Sequence, residues 1–116
     1  MHEMGIAQQM VNIALESIPR DIVNPRVENL NLRIGKLAAV VEDSLKFCFE
    51  IITKGTPLDG ATLLIESVPV KVRCRACFHG WEVEGPVFTC PACKDGAVDI
   101  LSGRELEISS IELADD

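Results

Sequence analysis

Two pairs of cysteines constrain this 116-residue chain more than any other feature. Cys74-Arg75-Ala76-Cys77 is followed, after twelve intervening residues, by Cys90-Pro91-Ala92-Cys93. Two such knuckles turn four thiolates toward one point, and four thiolates in a tetrahedron suit zinc at Zn–S distances of about 2.3 Å. A shell closed by four sulfurs leaves no coordination place for water, so the predicted site is structural and not hydrolytic. The competing reading, a thioredoxin-like redox pair, needs a βαβ context and leaves the second pair without a purpose. The zinc-binding domain is placed at residues 70–98. Its apolar side chains are chiefly Phe78, Trp81, Val83, Val87 and Phe88, too few to fold so small a segment alone, and the metal is expected to replace a core.

The chain as a whole is 47% hydrophobic and 25% charged, which predicts one folded domain with a small appendage. Its net charge of −7 disfavours a protein that grips phosphate backbones. Within residues 70–98, Lys71, Arg73, Arg75 and Lys94 against Glu82, Glu84 and Asp95 leave +1, hence −8 elsewhere and no basic nucleic-acid patch. No apolar run approaches about 18 residues, and the start lacks the basic-then-apolar layout of a secretory signal. The expectation is a cytoplasmic protein with Met1 as its mature amino terminus, and with neither nucleic acid nor membrane as partner. Cysteines in a reducing compartment hold metals more readily than they form disulfides.

Hydrophobic periodicity places the elements. Met4, Ala7, Val11, Ala14, Leu15 and Ile18 recur at helical spacing over 3–18, and Pro19 stops the helix. In VENLNLRIG, Leu30, Leu32 and Ile34 alternate with Asn31 and Arg33, as in a half-buried strand. A second helix is predicted over about 42–54 on a stripe of Val41, Leu45, Cys48, Phe49 and Ile52, with Gly55 as its cap. ATLLIESV and RELEIS read as two further strands. Beyond Ser109 and Ser110 the apolar phase slips to Ile111 and Leu113, which predicts a bulge or the end of pairing. Cys48 reads as a small core hydrophobe, Met4 and Met10 as packing residues, and His79 as an exposed loop histidine rather than a fifth candidate ligand.

The opening Met1-His2-Glu3 offers a donor set that no internal histidine has: a free amine, the His2 amide nitrogen and the His2 imidazole. Together they close two chelate rings, and with the amide deprotonated the three nitrogens lie in one plane. That geometry suits Ni(II) or Cu(II) and not tetrahedral zinc. Glu3 adds an oxygen donor or orients His2. The competing reading is a solvated, frayed terminus in which Glu3 answers the positive end of the first helix.

MHE, IGKLAAV ahead of LKFCFE, KGTPLDGATLLIES, the paired CRAC and CPAC, and ILSGRELEISSIE together resemble the HypA family of hydrogenase nickel incorporation proteins, over essentially the whole chain. The resemblance implies a nickel metallochaperone that delivers Ni(II) for hydrogenase maturation. It implies a nickel site at Met1, His2 and Glu3, structural Zn(II) on Cys74, Cys77, Cys90 and Cys93, and two partners, the GTPase HypB and a hydrogenase large-subunit precursor. The implied fold is α+β, two helices on a small mixed sheet with an inserted zinc module. This assigns residues 1–69 and 99–116 to a nickel-binding domain. No phosphate loop of the form GxxxxGK followed by Ser or Thr is present, so nucleotide-driven steps fall to a partner. With a closed zinc shell and no nucleophile paired to either histidine, the chain is expected to be a carrier and not an enzyme. The rival class is a zinc-ribbon module that binds other macromolecules, with His2 incidental.

Overall fold

The computed structural model describes residues 2–85 and 87–115. Helix α1 spans Glu3–Ser17 and α2 spans Glu42–Ile52; strands β1 to β6 are Val27–Gly35, Thr62–Val68, Val70–Cys74, Gly80–Val83, Val98–Ser102 and Leu106–Leu113. A short 3-10 turn, Lys36–Ala38, follows β1. The strands form two three-stranded sheets, ordered β2-β1-β6 and β4-β3-β5.

The first sheet is mixed. β1 and β2 run parallel, which requires a crossover, and α2 supplies it. β6 returns antiparallel on the other side of β1 after the chain has built the entire second sheet. The alternation seen in sequence is realised: Leu30, Leu32 and Ile34 are buried beneath the helices with Ile6, Ala7, Met10, Val11 and Ala14 of α1 and Leu45 and Phe49 of α2. Cys48 is half-buried against this core, whereas Met4 is exposed. The opposite face is polar and internally paired, with Asn31 bonded to Glu112 at 2.8 Å and Arg33 to Glu107 at 3.0 Å.

The phase slip in β6 is a bulge. Leu32 pairs with Ile108 but Asn31 with Ser110, so Ser109 is the extra residue, and pairing continues to Leu113. The bulge resets the alternation, and Ile111 and Leu113 reach the same core as Leu106 and Ile108. α2 ends at Ile52, earlier than the periodicity predicts. Buried Thr53 donates its hydroxyl back to the Phe49 carbonyl at 2.7 Å, and Gly55 lies in the following turn at φ +78°. Val41, expected on the buried stripe, is the exposed residue that precedes α2.

The second sheet has a core of only Val70, Val72 and Val83, flanked by Trp81, Phe88, Val98 and Ile100. Its strand β5 begins at Val98 and runs to Ser102, so this sheet extends beyond the 70–98 segment expected from the sequence. The molecule measures 58 × 26 × 17 Å with a radius of gyration of 18.0 Å, against about 13 Å for a compact chain of this length. The two sheets lie end to end rather than stacked. They meet where β2 passes into β3 through Pro69 and where β5 turns into β6 at Gly103. There Ser102 Oγ donates to the Pro69 carbonyl at 2.8 Å, and Gly35 N–H donates to the Glu105 carbonyl at 2.7 Å. A Cβ on Gly35 would run into the Gly103 carbonyl and the Arg104 nitrogen, both backbone. Gly35→Ala is therefore expected to cost about 3 kcal/mol, the upper end of ordinary overpacking, because backbone must move. Urea unfolding followed by circular dichroism checks this. Among the described residues no helix is long and apolar enough to cross a membrane.

Candidate metal centre

The four cysteines expected to bind zinc come together. β3 delivers Cys74 at its last residue, the loop after it carries Cys77, and Cys90 and Cys93 lie on the limb between β4 and β5. The two knuckles have the same internal geometry. Phe78 N–H donates to the Cys74 carbonyl at 3.0 Å, and Lys94 N–H to the Cys90 carbonyl at 2.9 Å. In each, the residue after the second cysteine adopts the left-handed region, Phe78 at φ +63° and Lys94 at φ +68°. An aromatic residue is costly there, so the surrounding contacts must impose it. Cys74 N–H is anchored on the His79 carbonyl at 2.9 Å and Arg75 N–H on the Ala97 carbonyl at 2.9 Å, which ties the first knuckle to both flanking strands.

All four Sγ atoms lie within 4.8 Å of one another. Cys74 Sγ is 3.5 Å from Cys93 Sγ, and Cys77 Sγ 3.6 Å from Cys90 Sγ. Tetrahedral thiolates about 2.3 Å from one zinc would be about 3.8 Å apart, so these residues fit the ion with small adjustments. The first cysteine of each pair is buried and the second exposed. The charges make the same point. Burial disfavours the Cys90 thiolate, but the N–H groups of Cys93 and Ala92 and the neighbouring sulfurs bring it down to about 6. The Asp95 N–H favours the Cys93 thiolate, yet Cys74, burial and the other sulfurs outweigh it and push that thiol up to about 12. Cys77 is also raised: the His79 N–H opposes the shift, while burial and the Cys90 and Cys74 sulfurs produce it. Sulfurs this close ionise together only beside a cation.

The cluster therefore holds protons that a metal must displace, as the raised Cys77 and Cys93 thiols show. Zinc uptake is expected to release protons from the four-thiol cluster as a whole. Calorimetric titration in buffers of different ionisation enthalpy counts them.

His79 is not among the four-ligand group. It is exposed, and its ring stacks on Trp81 with centroids 5.9 Å apart and an interplanar angle of 13°. Phe78 and Val87, expected to be part of the module's apolar complement, are 71% and 67% exposed, so the core is smaller still than the sequence implied.

At the far end of the chain, Met1 lies outside the described residues. His2 is exposed with extended backbone, and its carbonyl accepts the first α1 bond from the Ile6 N–H at 3.2 Å. Glu3 begins α1, and its Oε2 accepts a hydrogen bond from the Val41 N–H at 3.1 Å. That donor, then Glu3's own N–H, holds the carboxyl below the ordinary glutamate value. Sequence reasoning did not find Val41 in this role, because a backbone donor 38 residues away leaves no side-chain signature.

A helix-covered mixed sheet, joined to a small antiparallel sheet that ends in four convergent thiols, defines a two-part α+β metal-binding protein. Residues 1–113 match the family described as hydrogenase/urease nickel incorporation, metallochaperone, hypA, and the chain belongs to that family. It is 60% identical over 113 residues to the hydrogenase maturation factor HypA of Desulfosudis oleivorans, covering 97% of this chain and 98% of that one. To the protein of the same name from Desulfatibacillum aliphaticivorans it is 50% identical over 115 residues, covering 99% and 88%. Its fold is similar to the solution structure of the Ni metallochaperone HypA from Helicobacter pylori, with a TM-score of 0.68 at 21% identity and full coverage of both chains.

Proposed function

We propose that this protein binds Ni(II) at Met1, His2 and Glu3 and delivers it for hydrogenase maturation, while Cys74, Cys77, Cys90 and Cys93 hold Zn(II) structurally. The observation that carries this reading is the family match over residues 1–113, which takes in both the opening tripeptide and both cysteine pairs. The convergence of the four sulfurs supports the zinc half. For the nickel half, the support is chemical: an amine, an amide nitrogen and an imidazole in one short segment favour planar nickel.

The two metals have different tasks, and the division into residues 1–69 with 99–116 for nickel and 70–98 for zinc follows them. When bound, zinc neutralises the thiolates and cross-links the two knuckles, a task β5 assists by rooting the module in its own sheet. Nickel is cargo. A site at the start of α1 takes up and releases an ion without opening the core, since Ile6 is the first buried residue after it among those described. The protein acts as a carrier and not as an enzyme, in the cytoplasm, with a HypB-type GTPase supplying the nucleotide-driven step and a hydrogenase large-subunit precursor receiving the metal. Neither nucleic acid nor membrane is a partner in this reading.

Proton competition tests it. Amine and imidazole must shed protons before they bind, so nickel affinity should fall as the pH drops from about 8 to about 6. Competition against a chelator of known affinity measures this. An affinity that stays flat over that interval argues against amine and imidazole ligation.

A further inference from the structure

The Glu3 carboxylate is already engaged. Its bond with the Val41 N–H joins the first residue of α1 to the residue that precedes α2. A negative charge is also favoured at that end of α2. Val41 in turn is held from both sides. Upstream, residues 35–41 form a strap: Gly35 N–H donates to the Glu105 carbonyl at 2.7 Å, and Leu37 N–H to the Gly103 carbonyl at 2.9 Å. The strap then turns through Ala39, at φ +53°. Downstream, the Val41 carbonyl accepts the first α2 bond, from the Leu45 N–H at 3.0 Å. A chain terminus frays unless something ties it down, and here an immobilised backbone N–H ties Glu3.

We infer that Glu3 is a positioning residue: its carboxylate holds the nickel-binding terminus against the 35–41 strap through Val41 and is not itself given to the metal. The inference rests on the nickel reading above and specifies how one of its three residues works. The Val41 bond fixes Oε2 and with it the direction of the carboxylate, whereas the amine, amide and imidazole already supply three donors without it. Holding the segment in place beforehand lowers the ordering cost of binding.

Glutamine at position 3 keeps an oxygen acceptor for the Val41 N–H but removes the charge and the anionic donor; alanine removes everything. Glu3→Gln is expected to bind Ni(II) within about threefold of the native chain, the difference being the lost charge at the helix end. Its d–d absorption band should be unchanged, which reports an unchanged donor set. Glu3→Ala should bind roughly tenfold more weakly or worse, the scale on which groups that orient ligands act. Both should keep their zinc and helical signal. In isotope-labelled native protein, the His2 resonances should shift on adding Ni(II) while the Val41 amide stays protected from exchange.

If Glu3→Gln is as weak as Glu3→Ala, or if nickel releases the Val41 amide, the carboxylate moves to the metal and the inference is overturned. Glu3→Ala binding as tightly as the native chain overturns it too. His2 resonances that ignore nickel altogether would remove the nickel reading itself, and this inference with it.

Discussion

Cys93→Ala is expected to lose the zinc and unfold residues 70–98 while leaving α1 and α2 intact. Cys93 is exposed, so its truncation as a packing residue falls within the ordinary surface range of about 0.5 kcal/mol. As a ligand it is worth far more, because metal binding and folding are one event in such modules and contribute on the order of 10 kcal/mol. The two views therefore differ by an amount no packing argument covers. Cys74→Ser at the buried end of β3 should give the same outcome, and agreement between an exposed and a buried position identifies the metal as the cause. Trp81 is the chain's one tryptophan and flanks the module's core, so its fluorescence reports this unfolding without interference from the helices. Bound zinc should fall to nothing, proteolysis should concentrate in the module, and nickel binding should partly survive. A Cys93→Ala protein that keeps its zinc and its melting temperature would contradict the structural assignment.

A Gly-Ser extension ahead of Met1 is expected to abolish tight nickel binding while touching no side chain. It turns the α-amine into an ordinary amide, which removes one nitrogen donor and opens a chelate ring. His2→Ala removes the imidazole instead. Each should weaken nickel binding by roughly 100-fold or more, about 2.7 kcal/mol. Zinc content and helical signal should not change, because the described contacts of residue 2 are backbone ones. In cells at limiting nickel both variants should fail to mature hydrogenase. A site built from internal side chains would not respond to the extension, and tight binding by the extended chain would direct attention to the neighbourhood of His79.

Much of this architecture is legible in the sequence because it is carried by period. α1, β1, α2, β2 and β6 follow from apolar spacing, and the phase slip between Ile108 and Ile111 marks an irregularity, a bulge or the end of pairing, that the structure resolves as the Ser109 bulge. The thiol cluster follows from spacing alone, since two knuckles admit few arrangements. Other features depend on meetings between distant residues. β5 is short and half-buried along most of its length, so it shows no clear alternation, and its partner β3 is set by the closing of the knuckles. The approach of Gly35 to Gly103 joins glycines from opposite ends of the first sheet's chain path, each ordinary in its own segment. Phe78 illustrates the reverse case. Its apolar character predicts burial, but its place after the second cysteine of a knuckle forces a left-handed backbone and leaves the ring exposed.

Native mass spectrometry of the zinc-loaded protein, run on the native and the Gly-Ser-extended chain with and without Ni(II), tests the separation of the two metals most directly. The expected spectrum of the native chain shows one zinc throughout and one nickel added to it when Ni(II) is present. The extended chain should show the zinc and no added nickel. Nickel that replaces the zinc, or that binds the extended chain as fully as the native one, would contradict a cargo site at the terminus distinct from a structural site on Cys74, Cys77, Cys90 and Cys93.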